Sequence, residues 1–521
     1  MKRFLLLILA VVMSFSLAKG DPDVVTVALS SGPETLDPHV ASSRAVPLLE
    51  NVYEPLAGLQ NESLEISPML AESWDISEDQ TVYTFHLRPG VVFHDGEPLT
   101  AEAVKLSFDR VTTIKKGPSW VLAFLEKVEV IDPMTVRMTI RPGGPPFIQA
   151  VSMISIISPK AINEHISNDD FAQDWLALNT AGTGPYKVAR FIRGDRVILE
   201  KHDAYWQGWD RPHFSRAVML IVPEMSSAQL MLEQGQVDIA ERVPNESLQS
   251  LRDNPDINVI ESNDGVRVLY LMLNYQAGPT ADKRVRRALN YAFDKDAFFA
   301  ATNGAFVGTD GPVPSSLMGG YKPEIPYDSY DLDKARELFE EAGAIGSTID
   351  LYYTTGDQTQ VLAAQILQAS LAQIGVNANI IAQDFPALLR SLTAWSDSSR
   401  SADDPNFHMA NYLYTPPRMP DAYAYLWYMY HPAAQGGRGR NLNFYENPKV
   451  TALIEQGALA TNLDDRYAAY RQAVDTIVDD TPQIFIGTAR KIYPISSDIG
   501  GFFVHPTWFP AVRVYPLFRK Q

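Results

Sequence analysis

Residues 83–104, YTFHLRPGVVFHDGEPLTAEAV, bring His86, His94, Asp95, Glu97 and Glu102 into one short stretch. Imidazoles and carboxylates at such density can ligate a transition metal or pass protons. The spacing suits neither. The two histidines read as lying on different strands, without the i, i+4 helical pair or close carboxylate of a zinc motif. Tyr83, Phe85 and Leu87 alternate with Thr84, His86 and Arg88, which predicts a half-buried strand. Pro89-Gly90 turns the chain, Val91 and Phe93 predict a return strand, and Asp95-Gly96 makes a second turn. Thr100 is placed to cap a helix whose first turn carries Glu102 against the positive dipole end. Each polar residue has a structural task, so the stretch reads as scaffold.

Other reactive signatures are missing. The chain has no G-x-S-x-G elbow, no H-E-x-x-H and no P-loop. The glycine-rich GTGPYKV at 182–188 lacks the Lys-Ser/Thr of a phosphate cradle and opens no helix, so it reads as a tight chain crossing. Asp403-Asp404 and Asp479-Asp480 fall in loop or helix-end contexts and read as solvated. His408 stands alone on FHMANYLY and reads as a strand residue. No metal and no cofactor is expected. A glycosidase needs no local signature for its carboxylates, so a secreted hydrolase stays open as a reading of another class.

The elements that position these residues alternate in type. DVVTVALS is a strand and RAVPLLENVYEPL a helix; VEVIDPMTVRMTI is a hairpin about Asp132-Pro133. SSAQLMLEQGQVDIA reads as helix, glycine turn and strand. ADKRVRRALNYAFDKDAFF is one helix, and LDKARELFEEAG another, stopped by Gly343. QVLAAQILQASLAQIGVNANIIAQ is a helix stopped by Gly375 and then a strand. This rhythm predicts α/β domains with mixed sheets.

Length and composition set the scale. With 521 residues the chain exceeds one core, so two or three domains are expected. Its 46% hydrophobic and 20% charged residues are ordinary for a globular protein. The formal net charge of −18 disfavours nucleic acid as a partner.

MKRFLLLILAVVMSFSLAKG has a basic start, an apolar run from Phe4 to Met13 and small residues at Ser16, Ala18 and Gly20. It predicts a secretory signal peptide, residues 1–20, cleaved after Ala18 or Gly20. The apolar run is shorter than the roughly 20 residues that span a bilayer. The chain has no cysteine. A lipoprotein anchor, a disulfide and a cysteine nucleophile are thereby excluded, and a free periplasmic protein is expected.

Several blocks in order resemble a known family. ETLDPHVASSRAV, LLENVYEPLAGL, SPMLAESWDISEDQTVYTFHLRPGVVFHDGEPLTAEAVKLSFDRV, GTGPYKV, YLMLNYQAGPTADKRVRRALNYAFDKDAF, SYDLDKARELFEEAG and FYENPKVTALIEQG are similar to the extracellular solute-binding proteins of dipeptide, oligopeptide and nickel ABC importers (family 5). The likeness runs from about residue 25 to 515. It implies a periplasmic binding protein-like (type II) α/β fold: two lobes joined by hinge strands plus an accessory domain. The implied segments are 21–58, 182–272 and 489–521 for lobe I, 59–181 for the accessory domain and 273–488 for lobe II. The implied function is capture of a peptide or peptide-like solute between closing lobes, with delivery to ABC permease subunits by a monomer and no chemical change.

The resemblance also implies site residues. Peptide-binding members hold the ligand ammonium with an aspartate four residues before the proline matching Pro420. Here that position is Pro416, which carries no charge and no N–H. Asp421 substitutes only if the loop is reshaped. Ser42 and Arg44 fall where the first lobe touches ligand, Trp120 where an accessory-domain aromatic covers it. Phe385, Leu413, Tyr414 and Thr415 fall on second-lobe segments facing the cleft. Arg44 and Arg418 together suit an anionic group. Pro416 and the aromatic run Tyr423, Tyr425, Trp427, Tyr428 and Tyr430 keep an oligosaccharide, opine-like or other organic solute as the alternative cargo.

Overall fold

The computed structural model describes residues 21–520 except 42–44, 60–63, 143–145, 264–265, 309–310, 327–328, 385–386, 389–391, 393–408, 415–418, 420, 436–438, 461, 506 and 508–510. Three sheets organise it. A seven-stranded sheet runs in the order Ile257–Ser262, Lys491–Ser496, Ile239–Ala240, Val24–Leu29, Arg216–Ile221, Arg196–Lys201, Tyr186–Ile192. Its centre is the Val24–Leu29 strand, parallel to both neighbours. A six-stranded sheet runs Phe306–Gly308, Gln483–Ala489, Val268–Leu273, Met409–Tyr414, Thr348–Thr354, Asn377–Gln383. Its last three strands are mutually parallel and Met409–Tyr414 runs against Val268–Leu273. A four-stranded antiparallel sheet, from Ala71–Ile76, Val82–Leu87, Leu125–Asp132 and Thr135–Ile140, belongs to the accessory region.

Two short crossings join the large sheets. The chain leaves the first sheet at Ser262 and enters the second at Val268, then returns from Ala489 to Lys491 through Arg490. Arg490 ties both passages together. Its Nε donates to Asn263 Oδ1 at 2.8 Å and its Nη1 to Glu261 Oε2 at 3.3 Å.

Strand alternation decides how the cores divide. Along Val268–Leu273, Val268, Tyr270 and Met272 enter one cluster while Leu269, Leu271 and Leu273 enter another. The first of these also contains Phe85, Phe93 and Phe108, so the accessory region and the second lobe share an apolar core. The first lobe has its own cores on the two faces of its sheet.

Some predicted elements take other forms. The return strand expected at Val91–His94 is not a strand: Val92 makes only a single bridge, to Pro98. The helix expected over RAVPLLENVYEPL is confined to Val46–Leu49, and the one expected from Ala281 divides into Lys283–Ala292 and Lys295–Ala301. The Ala101–Ile114 helix begins as predicted, with Thr100 Oγ1 accepting from Ala103 N. Gly182 and Gly184 do form a tight crossing. Gly184 N donates to Val52 O at 2.9 Å, and a Cβ there would meet Val52 C at 2.6 Å.

Candidate functional site

Ligands of open α/β sheets bind outside the carboxyl ends of the strands, where chain directions diverge about the central strand. In the first lobe those ends are Leu29, Ile221 and Ala240, followed by Ser30, Val222 and Glu241. Glu241 is buried and locks two of them together. Its carboxylate accepts from Ser30 N at 2.5 Å and from Ser30 Oγ at 2.8 Å. Burial pushes its carboxyl above the ordinary range, against the Ser30 bonds and the nearby Arg242 and Arg267. Arg242, next in sequence, is exposed.

In the second lobe the corresponding ends are Thr354, Gln383 and Tyr414. Tyr414 pairs with Val268 and Leu413 with Leu269, which sets Arg267 beside the end of the Met409–Tyr414 strand. Arg267 O accepts from Ala489 N at 2.9 Å, fixing it at the returning passage as well. Burial pushes the Arg267 guanidinium down to about 10, Arg242 pushes the same way, and Asp357, Tyr493 and Glu241 pull back. Asp357 follows the Thr348–Thr354 strand and caps the Gln358–Gln373 helix by accepting from Gln360 N at 3.0 Å. Arg267 therefore feels the charges of Glu241 and Arg242 from the first lobe and of Asp357 from its own.

Sequence reasoning missed these four residues. For Glu241, Arg242 and Arg267 the only local signal was a charge flanking a short apolar strand, in DIAERV and GVRVLY, and Asp357 reads as a helix cap.

The residues singled out from sequence are placed as follows. Ser42, Arg44, Phe385, Thr415, Arg418, Pro416, His408 and Asp403-Asp404 lie outside the described residues, as does the segment 1–20. Leu413 and Tyr414 lie on the strand just described. Trp120, half-buried on the Gly117–Leu122 turn, meets Tyr428 of the Tyr423–Tyr430 helix with ring centroids 5.5 Å apart. The accessory region thereby touches the second lobe through a pair of rings. Tyr423, Tyr425 and Tyr430 are buried, which leaves Trp427 and Tyr428 as the partly accessible rings of that run.

Asp421 is buried. Its Oδ1 accepts from Tyr423 N at 2.7 Å and its Oδ2 lies 3.6 Å from Arg466 Nη1. Burial raises its carboxyl, against the opposing pull of Arg466. The carboxylate is thus engaged inside the second lobe.

The histidines of the opening stretch part company. His86 Nε2 pairs with Asp75 at the surface, 2.9 Å away, whereas His94 Nε2 bonds Gly184 O at 2.9 Å. Among the described residues no group of three or more His, Cys, Asp or Glu is arranged to hold a metal. Asp479 does pair with Lys283 and Arg287, but Asp480 is not solvated as expected. It accepts from Tyr445 OH at 2.7 Å and from Asn447 Nδ2 at 2.6 Å. A separate cavity of about 260 Å³ lies under the C-terminal segment of the first lobe. Its acids are already partnered: Glu54 accepts from Thr183, Tyr205 and Trp206, and Glu50 sits between His505 and Arg513. No described residue of the second lobe lines it, so lobe closure would not seal it.

Comparison with known proteins gives a consistent result. The profile described as "Bacterial extracellular solute-binding proteins, family 5 Middle" matches residues 65–437. The chain is 28% identical over 513 residues to the probable D,D-dipeptide-binding periplasmic protein DdpA of Escherichia coli, covering 96% of this chain and 95% of that one. It is 29% identical over 504 residues to the glutathione-binding protein GsiB of Pectobacterium atrosepticum, covering 92% and 91%. Its fold superposes with a TM-score of 0.80 on the ABC transporter-associated periplasmic binding protein DppA of Helicobacter pylori, solved in complex with the peptide STSA. That match has 25% identity and covers 96% of this chain and 98% of the other. Among the described residues no helix is long and apolar enough to cross a membrane.

Proposed function

We propose, for a chain that belongs to the bacterial extracellular solute-binding proteins of family 5, a peptide or peptide-like solute captured between two closing lobes and handed to an ABC permease. The observation that supports this is a pair of large sheets joined by two short crossings, from Ser262 to Val268 and from Ala489 to Lys491, both tied by Arg490. Closure about such crossings is a hinge motion, and a solute stabilises the closed form by its excess affinity for it. Nothing in this mechanism breaks a bond of the solute.

The peptide cargo is supported by the names of the relatives, a dipeptide binder, a glutathione binder and a peptide complex. The remaining features belong to the same reading: export by residues 1–20, residence in the periplasm, a monomer, and the lobe and accessory segments expected above. Ser42, Arg44, Phe385, Leu413, Tyr414, Thr415 and Arg418 are proposed as solute contacts, Trp120 as a cover, and Asp421 as the residue that positions the start of the Tyr423–Tyr430 helix. Pro416 favours a second reading in which the solute is an oligosaccharide or opine-like conjugate without an ammonium at that place.

Native mass spectrometry of protein purified without denaturation tests the cargo: a retained peptide supports the first reading, a retained sugar or opine the second. Small-angle scattering should show a smaller radius of gyration on adding that solute, and its melting temperature should rise by mass action. Chemical conversion of the solute by purified protein would support the hydrolase instead.

A further inference from the structure

The turn that carries Trp120 is built onto the first lobe. The Ala101–Ile114 helix stops at Lys115, which takes the left-handed region while its N donates to Val111 O at 3.1 Å. Gly117 follows at a φ of +48°, and a Cβ there would meet His39 O of the first lobe at 2.7 Å. Only glycine allows that approach. His39 is itself fixed: its N donates to Asp37 Oδ1 at 3.0 Å and its Nε2 bonds Ser155 O at 2.8 Å. Asp37 in turn makes a buried ion pair with Arg110 of the Ala101–Ile114 helix. The Gly117–Leu122 turn therefore moves with the first lobe.

Tyr428 belongs to the second lobe as firmly. In its helix, Tyr423–Tyr430, Tyr425 OH donates to Val266 O in the outgoing crossing. Tyr430 OH donates to Gln483 Oε1 at 2.7 Å, on the strand from which the chain returns. Arg440 N donates to Tyr428 O at 2.7 Å, and the Arg440 guanidinium stands 5.9 Å from the centre of the Tyr428 ring. Trp120 meets that ring with centroids 5.5 Å apart and planes tilted by 44°. The two rings stand on different lobes, so rotation about the crossings parts them.

We propose that the Gly117–Leu122 turn is a strap between the lobes: it seats Trp120 against Tyr428 and favours closure before any solute arrives. This rests on the closing-lobe reading above and adds a device that sets its starting equilibrium. Tilted ring pairs attract because the negative face of one ring meets the positive edge of the other. The attraction is made only in the closed form, so it raises the closed fraction of the free chain. A solute that needs the closed form then binds tighter by the gain in that fraction, whatever its chemistry. Neither ring has to touch the solute for this.

The chain has no cysteine, so a pair of introduced spin labels can report lobe separation by pulsed EPR. Ala189→Cys and Asn377→Cys place them at exposed sites on the edge strands farthest in sheet order from the crossings. Without solute, Trp120→Ala and Tyr428→Ala should each move the ratio of near to far distances toward far by about 2- to 10-fold. The double variant should go no further than either single one, and Tyr428→Phe, which keeps the ring, should match the native chain. Tyr428→Ala reads the strap from the other lobe if Trp120→Ala folds poorly. With glutathione and Ala-Ala as probes, binding should weaken by the same factor as the ratio shifts. Identical solute-free distributions for the native chain and both single variants would overturn the strap. If a peptide then gathers all of them to the near distance, the closing lobes stand without it; if no peptide and no variant moves the labels, the closing-lobe reading falls as well. Weaker peptide binding by Trp120→Ala with an unchanged solute-free distribution would also overturn the strap, because the ring would then act by touching the solute.

Discussion

Arg110 holds Asp37 through two parallel hydrogen bonds, Nη1 to Oδ1 at 2.9 Å and Nη2 to Oδ2 at 2.6 Å, and both side chains are buried. Arg110 lies on the Ala101–Ile114 helix of the accessory region and Asp37 on the loop after the first strand of the first lobe. A third bond, from Arg110 Nε to Phe171 O at 2.8 Å, completes its donors on that side. The pair therefore rivets the accessory region to the first lobe. Removing one partner leaves the other charged and buried, so Asp37→Ala or Arg110→Ala should each cost about 3–5 kcal/mol in urea unfolding. A cost below about 1 kcal/mol, the value of an exposed pair, would show that water reaches the site.

Asp421 and Arg466 make a second buried pair, this time within the second lobe. Arg466 keeps bonds to Gly457 O and Ala460 O, so it has other anchors when the carboxylate is neutralised. Asp421→Asn should lower stability by about 2–4 kcal/mol. Affinity for the solute identified by native mass spectrometry, corrected for the folded fraction, should stay within a few-fold. An unchanged melting temperature with collapsed affinity would show that the carboxylate reaches the solute directly.

Trp120 and Tyr428 link the accessory region to the second lobe ring to ring. Aromatic pairs of this kind contribute about 0.5–1.5 kcal/mol beyond their buried area. A double-mutant cycle with Trp120→Ala and Tyr428→Ala, read by thermal unfolding, should return a coupling of that size. Additive effects would mean the rings are neighbours without interacting.

Two buried imidazoles make the fold sensitive to acid. Burial pushes His39 down to about 4, with Arg110 assisting, and pushes His94 down to about 3 against its bond to Gly184 O. The fold prefers both neutral, so the unfolded chain takes up protons first as pH drops below about 6.5. The stability they contribute is complete above that value and is lost as pH falls through about 4 and 3. Glu54, pushed up to about 7 by burial, acts oppositely: it contributes most below its unfolded value, and that contribution is lost as pH rises through 7. Variants must separate the two. His94→Gln should reduce the loss of stability between pH 7.5 and 4.5 by about 2–3 kcal/mol, read as the difference in urea midpoints at the two pH values. An unchanged slope would mean that His94 is solvated.

Local periodicity and punctuation were enough for elements whose partners are near in sequence. The hairpin about Asp132-Pro133 and the cap at Thr100 could be read directly, because alternation and capping are properties of a few adjacent residues. The same holds for the helix that Gly375 ends in the left-handed region. The GTGPYKV crossing was legible too, since only glycine lets two backbones come so close.

What failed was decided by distant groups. RAVPLLENVYEPL has a helical pattern, yet Asn51 O and Val52 O accept from Tyr186 N and Gly184 N, and Asn51 Nδ2 reaches Val512 O. Those bonds draw the chain out of the helix after Leu49. Val91 and Phe93 have strand alternation, yet they are buried in the core beside a strand whose two edges are already taken by its sheet neighbours. Asp294 caps a new helix through Ala297 N and so divides what reads as one.

The sequence by itself determined the α/β class, the scaffold role of the opening stretch and, through its ordered blocks, the resemblance to family 5. It did not place Glu241 beside Ser30, or Arg267 at the end of the Met409–Tyr414 strand. Those neighbours follow from strand order and register, in which residues 211 apart share a hydrogen bond. Side-chain period fixes which face of a strand is buried, but not which strand lies next to it. Only the order of strands in the two sheets, and the two crossings that join them, decided which residues become neighbours.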